Sequence, residues 1–281
     1  MNTLVFSILI MGGSFAAGLI GALTGLGGGL IVVPMLTVGF GLDLHHAAGA
    51  ALISVIATSS GAAGAFVRER LTNVRIGIFL EVATTIGAFA GAHLAARAPI
   101  PALSIIFGVV LLFSAGASLL PDPAAERTPA EAGPETLGRR LRLSGELPTD
   151  SGPQRYQAVR VPLGFGLMCV AGALSGLLGI GSGAVKVLAM DRAMRLPFKV
   201  STTTSNFMIG VTAAAGAGVY LRHGYVTPAL SAPVMLGVLP GSLVGARILA
   251  RARTTMLRVI FAGAAALMAL EMVRSGLAGR V

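Results

Sequence analysis

Charge is scarce in this chain and cysteine almost absent. Only 11% of its 281 residues are charged, while 54% are hydrophobic. A soluble domain carries about 25% charged residues, so this chain has too little polar surface to cover a water-facing globule. The surplus apolar surface has to face lipid. Cys169 is the only cysteine, which excludes a disulfide within the chain and any cysteine-rich metal site. A small buried hydrophobe accounts for it. The four histidines, His45, His46, His93 and His223, stand mostly at the ends of apolar segments. No His/Asp/Glu group has metal-ligand spacing, there is no P-loop consensus, and no nucleophile–base pair is evident. No enzyme activity, cofactor or metal is therefore expected. The formal net charge is +10, but the basic residues form no single tract. They sit in short stretches between apolar segments, where the positive-inside rule puts them, so nucleic acid is not an expected partner.

What the chain does have is a repeat. Its second half follows its first at a constant offset of 154 residues: Gly25, Gly27 and Gly29 fall on Gly179, Gly181 and Gly183, and Gly64 and Arg68 on Gly218 and Arg222. Gly87, Gly91, Ala92 and Arg97 fall on Gly241, Gly245, Ala246 and Arg251, and Phe107 on Phe261. An apolar chain built from two such halves has the pattern of a membrane transporter with its site between the repeats.

Apolar stretches lie at roughly 3–40, 46–67, 74–96, 101–120, 157–190, 200–221, 226–250 and 255–273. Most reach the ~20 residues needed to cross a hydrocarbon core. The start, MNTLVFSILIMGG, has no basic residue ahead of its apolar run and reads as the first membrane segment, not a cleaved signal. The expected organisation is a first membrane repeat over 1–120, a polar linker over 121–156 and a second repeat over 157–281. The stretch 121–160 holds six arginines, six acids and six prolines without apolar period. It reads as a flexible linker or a small, partly ordered domain, and its arginines favour the cytoplasmic side.

The first segment of each half is too long for one crossing and is broken by glycines, GLGGG at 25–29 and GIGSG at 179–183. Each glycine inside a helix costs ~1 kcal/mol against alanine, so the helices are expected to unwind there. Backbone freed at membrane depth is tolerated only where protein or a water-filled cavity satisfies it. Loop charge carries a topological hint. Arg68, Arg70 and Arg75 make the second loop of the first half positive. In the second half the first loop (Arg192, Arg195, Lys199) and the third (Arg247, Arg251, Arg253, Arg258) are positive. Equivalent loops of opposite bias suit halves that lie upside down relative to each other. Eight plain crossings forbid this; a broken segment that enters and returns without crossing allows it.

Amides freed at a helix break point along the next half-helix and form an anion site, strengthened by the helix dipole. The candidates are the backbones of Gly25, Gly27, Gly28 and Gly29, and of Gly179, Gly181, Ser182 and Gly183. Helix packing is the plainer alternative, since Gly21, Gly25 and Gly29, and Gly172 and Gly176, run at i+4; for the Gly87/Gly91 and Gly241/Gly245 pairs packing alone suffices. Lys186 follows Gly183 in an apolar run, where its repeat partner is Val32. It either fixes an anion's charge or snorkels to the interface. In STTTSN at 201–206, helix capping accounts for the first one or two residues, while Thr203, Thr204, Ser205 and Asn206 are candidates to line the site. Glu81 and His93 are candidates for proton coupling, although both stand within a turn or two of a segment end, where interfacial placement is the plainer reading.

On GALTGLGGGLIVVPML at 21–36, GALSGLLGIGSGAVKVLAM at 172–190, LPFKVSTTTSNFMIGVTAAAGA at 196–217, GAFAGAHLA at 87–95 and GSLVGARIL at 241–249, the chain resembles the TauE/SafE sulfite exporter family. The resemblance covers all but the linker. It implies a multi-pass protein of the bacterial inner membrane that moves sulfite, sulfonates or related small organic anions. The chain departs from the family pattern at Ser182, where glycine is usual, and at Leu188, which stands opposite Pro34; the long linker is also atypical. The combined expectation is an all-α integral membrane protein with two repeats of about four segments each, glycine-broken and inverted. It would have the bilayer and a small anion as partners, be compatible with homo-oligomer assembly, and work by alternating access. An anion channel and a non-transporting assembly or sensor protein remain the alternatives.

Overall fold

The computed structural model describes residues 3–277 apart from Leu26, Arg70, Ala96, 120–135, 149–151, Ile180, Ala252 and Arg253. Helix dominates, as it must where lipid offers backbone groups no partner. The first half contains α1 (Thr3–Thr24), the short α2 (Gly29–Pro34), α3 (Leu44–Arg68), α4 (Val74–Ala95) and α5 (Ile100–Leu119). After the small α6 (Thr136–Arg140) and the strands β1 (Ser144–Leu147) and β2 (Gln154–Gln157) come α7 (Val161–Leu178), α8 (Gly183–Leu188), α9 (Phe198–Arg222), α10 (Pro228–Arg251) and α11 (Thr254–Leu277). Among the described residues, five helices are long and apolar enough to cross a membrane: Val5–Thr24, Leu44–Arg68, Val74–Ala95, Val161–Leu178 and Pro228–Leu249.

The 154-residue offset of the sequence reappears in the element bounds. Gly29–Pro34 and Leu44–Arg68 map onto Gly183–Leu188 and Phe198–Arg222. Both short helices run on into a π-helical turn, Met35–Gly39 and Ala189–Ala193. Pro34, which lacks an amide hydrogen, would explain the first. Leu188 precedes the second, so proline is not what widens the turn.

The chain turns back at each break. The Phe6 and Phe40 rings meet edge to face at 5.3 Å, Gly13 faces Met35, and the Gly27 amide donates to the Gly21 carbonyl at 3.4 Å. Likewise Gly164 faces Met194, and the Val159 amide donates to the Met194 carbonyl at 3.1 Å. Each broken segment therefore ends beside its own beginning. Helices α3 and α9 lie antiparallel: His45, near the start of α3, stacks on Tyr225, just past α9, at 4.8 Å. At the other end the Asn73 amide donates to Thr204 Oγ1 at 3.1 Å.

The tightest helix contacts run between the halves, α1 on α10 and α4 on α7. Glycine makes them. A Cβ on Gly237, Gly241 or Gly245 would strike the carbonyls of Met11, Phe15 and Leu19, and one on Gly172 or Gly176 those of Thr84 and Ala88. Gly87 and Gly91 meet Cys169 and Ala173 in the same way. Where lipid removes the hydrophobic incentive to associate, such close backbone approach is what holds helices together.

Part of the polar segment is ordered. β1 and β2 pair antiparallel, with Glu146 opposite Arg155 and their side chains joined at 2.8 Å. Asn73 Nδ2 donates to the Ser144 carbonyl and to Tyr156 Oη, each at 3.1 Å. Leu147 and Tyr156 pack with Phe66, Leu71 and Phe198, so the hairpin sits over the α3–α4 turn and the start of α9. Burial pushes the Tyr156 phenol above its ordinary pKa, and the bond from Asn73 offsets only part of this. Residues 121–135 and 149–151 of the expected linker lie outside the described residues.

Candidate functional site

Helix α1 stops where glycine permits left-handed backbone. Gly25 and Gly27 have φ of +75° and +73°, and Gly179 and Gly181 have +70° and +74°. Only glycine takes that region cheaply. A Cβ on Gly27 would stand 2.8 Å from Ile209 Cδ1, and one on Gly181 2.8 Å from Val55 Cγ1. Both breaks thus close on the buried Val55 and Ile209, residues that are themselves 154 apart. Gly29, at the start of α2, is bounded by Val55 and by the Gly179 carbonyl. No side chain caps α2 or α8, so the orphan amides and positive ends of two half-helices converge at this depth. Two amides of the first break are already engaged: Gly27 N–H donates to the Gly21 carbonyl at 3.4 Å and Gly28 N–H to Thr58 Oγ1 at 3.3 Å.

The second break differs in its last residue. Ser182, in the place of Gly28, is left-handed at φ +48° and buried, and its Oγ has no hydrogen-bond partner. Gly28 is right-handed at φ −60°.

The Ser/Thr/Asn run is wholly buried, and it divides. Thr203 Oγ1 donates to the Leu71 carbonyl at 2.7 Å and Thr204 Oγ1 accepts from Asn73 N–H, so both serve the α3–α4 turn. Ser205 and Asn206 reach the first break: Ser205 Oγ donates to the Gly25 carbonyl at 2.9 Å and lies 3.4 Å from that of Gly183. Asn206 Nδ2 donates to the Ala22 carbonyl at 3.0 Å. Carbonyls left over at the end of α1 are thereby satisfied. Ser201 Oγ, Thr202 Oγ1 and Asn206 Oδ1 are buried without a hydrogen-bond partner, an uncommon condition for interior polar atoms.

Lys186 does not snorkel; its side chain is fully buried. Nζ donates to Thr212 Oγ1 and stands 3.8 Å from Glu81 Oε2. Thr212 Oγ1 in turn donates to Glu81 Oε1 at 2.6 Å, and Thr85 Oγ1 is 3.3 Å from the same oxygen. Thr84 Oγ1 lies 3.3 Å from Thr212 Oγ1. An ion pair is therefore strung through a threonine between α4, α8 and α9. Glu81, two turns into α4, has a side chain only 12% exposed. The interfacial reading of this residue gives way to an interior one, because α8 brings it a cation. His93 stays apart: it is exposed, with Nδ1 on its own Phe89 carbonyl at 2.9 Å. Thr212, Thr84 and Thr85 escaped the sequence reading, whose only signal for them was hydroxyls inside apolar helices. Asp191 was also missed as a buried group; it is fully buried in the π-turn with Arg192 Nε at 3.4 Å.

The family model described as Sulfite exporter TauE/SafE matches residues 10–272. The chain is similar to the probable membrane transporter protein YunE of Bacillus subtilis (strain 168), at 25% identity over 279 residues, 97% of this chain and 98% of that one. It is also similar to the probable membrane transporter protein YdhB of the same organism, at 28% identity over 241 residues, 85% and 88% of the two chains. No solved structure matches.

Proposed function

This chain belongs to the TauE/SafE sulfite exporter family, and from that premise we propose that it carries sulfite, sulfonates or related small organic anions across the bacterial inner membrane by alternating access. Membership in that family and the apolar helices make it a multi-pass membrane protein of transporter kind. The observation that carries the finer reading is the meeting of two uncapped half-helix starts at Val55 and Ile209. Amides at Gly27–Gly29 and Gly181–Gly183 would hold the oxyanion, those of Gly27 and Gly28 by exchanging the Gly21 carbonyl and Thr58 Oγ1 for it, with the Ser182 hydroxyl and the second hydrogen of Asn206 Nδ2 beside them. Lys186, one turn into α8, would supply charge. Rocking of the two halves about this point exposes it to either side in turn. Two features support an inverted arrangement: each broken segment returns to its starting side, and the equivalent helices α3 and α9 run antiparallel.

The test is uptake of ³⁵S-sulfite and a panel of sulfonates into proteoliposomes, wild type against Gly28→Leu. Saturable uptake with counterflow, lost in the variant while the purified protein stays monodisperse, is the expected outcome. Uptake that neither saturates nor shows counterflow would indicate a channel instead.

A further inference from the structure

We infer that Glu81, Thr212 and Lys186 form a proton-exchange site, in which the transported anion and the Glu81 carboxylate compete for Lys186, so that each anion travels with a proton. The inference rests on the anion-carrier reading above and extends it to the coupling ion.

Lys186 is wholly buried, and a lone charge at such a place is costly enough to require a partner. The structure provides Glu81, bridged by Thr212, and leaves Glu81 Oε2 with no hydrogen bond. Geometry links this pair to the breaks. Lys186 is three residues from Gly183 on α8, and Thr212 is one turn along α9 from Ile209, against which both breaks close. An anion held at the amides of α8 therefore lies within a helical turn of Lys186.

When that anion takes over Lys186, the Glu81 carboxylate loses its counter-charge in a medium of low dielectric. The charge is removed by adding a proton: one O–H bond forms at Oε2, the oxygen that makes no hydrogen bond, with a proton drawn from water on the open side. Lys186 keeps all three of its protons throughout. On the opposite side the anion leaves, Glu81 returns its proton to water, and the Lys186 pair re-forms. A univalent anion and a proton cross together, and the cycle is electroneutral.

Among the described residues the pair bonds to no other charged group, and the charged and titratable residues of α3, His45, His46 and Arg68, lie at its ends. Helix α5 has no charged residue, and α4 carries its others, Arg75 and His93, toward its ends. Charge on α9 is confined to Lys199 and Arg222 at its ends. From α7 comes only the partly buried Cys169, and beyond α8 Asp191 is held by Arg192. The positions related by the 154-residue offset hold no second pair: Val32, Met235 and Val238 occupy the places of Lys186, Glu81 and Thr84, with only Thr58 matching Thr212.

The experiment reads accumulation of ³⁵S-sulfite and of isethionate, a sulfonate that stays ionised near neutrality, in proteoliposomes with the membrane potential clamped. A gradient of one pH unit, acid outside, should concentrate isethionate about tenfold through the wild type if coupling is one to one. Glu81→Gln should equilibrate the anion without concentrating it, Glu81→Asp should restore concentration, and Lys186→Met should lose saturable uptake. Proton entry on adding isethionate, followed with a trapped pH dye, makes the same decision in wild type alone and needs no variant to fold. Saturable uptake without proton entry, or Glu81→Gln concentrating anion like wild type, overturns the inference and leaves the carrier reading standing. Absence of saturable uptake for every anion overturns both.

Discussion

Set side by side, the two halves agree in backbone and differ in side chains at a few interior positions. The glycine turns, the π-turns and the bounds of α3 and α9 recur at one offset. Yet Val32 corresponds to Lys186, Met235 to Glu81, Gly28 to Ser182 and Asp43 to Pro197 at that offset. A common backbone builds the half-helix starts twice; the charges are installed once. The comparison teaches that the glycine turns and half-helix starts are set by the backbone, whereas the ion pair between Lys186 and Glu81 is set by side chains that the positions 154 residues away lack.

Making the halves alike is the sharpest way to break this contrast. Lys186→Val strands the Glu81 carboxylate, and loss of one member of a buried pair costs about 3–5 kcal/mol. Thermal melting in detergent should show a large drop, and Lys186→Val with Glu81→Met should recover most of it because both charges go. If the double variant melts no higher than the single, the pair is not what ties the two sites.

A smaller effect, equal on both sides, is expected where the halves match. Gly91→Val and Gly245→Val each push a side chain into a facing backbone carbonyl, and overpacking of this kind costs about 1–3 kcal/mol. Comparable losses in melting temperature would support equivalent packing of α4 on α7 and α10 on α1; a loss in one alone would break the equivalence.

Next comes the cap. Asp43 accepts from the His45 and His46 amides at 3.0 and 3.2 Å, while Pro197, with nearly the same φ and ψ, caps α9 with no side chain. Asp43→Ala should cost about 0.5–2 kcal/mol. Partial burial pushes the Asp43 carboxyl up, but its bonds from His46 and His45 outweigh that and hold it below its ordinary value. The folded state thus favours the ionised carboxylate. Its contribution is complete above the unfolded value of about 3.9 and fades as pH falls through the lower folded one. A melting difference between Asp43→Ala and wild type that grows as pH falls below about 4 would contradict this.

The smallest effect belongs to Ser182→Gly, which relieves a left-handed serine. A gain of about 0.5–1 kcal/mol is expected, since glycine's greater freedom in the unfolded chain offsets part of the relief. Isethionate affinity measured on the same protein would show whether the unpartnered Ser182 hydroxyl touches the anion; an unchanged affinity assigns it no contact.

Much of this was legible in the residues. The repeat, the broken first segments and the need for lipid follow from glycine spacing and scarcity of charge, because backbone sterics and hydration act locally. The packing role of Gly87, Gly91, Gly241 and Gly245 was readable from their i+4 spacing. The division within STTTSN was not: whether a hydroxyl turns to the α3–α4 turn or to a break depends on which carbonyls another helix leaves unpaired. The hairpin at 144–157 was visible only as polar sequence, since what orders it is Asn73 and Phe66 from the distant first half.

By itself, then, the sequence determined the membrane setting, the doubling and the places where helices must break, all consequences of side-chain hydration and of what a Cβ forbids. Tertiary structure alone decided that Lys186 is buried rather than snorkelled and that Glu81, 105 residues earlier in the chain, is its partner. A charge in an apolar segment has two cheap solutions, the water interface or an opposite charge. Only the packing of α4, α8 and α9 selects between them.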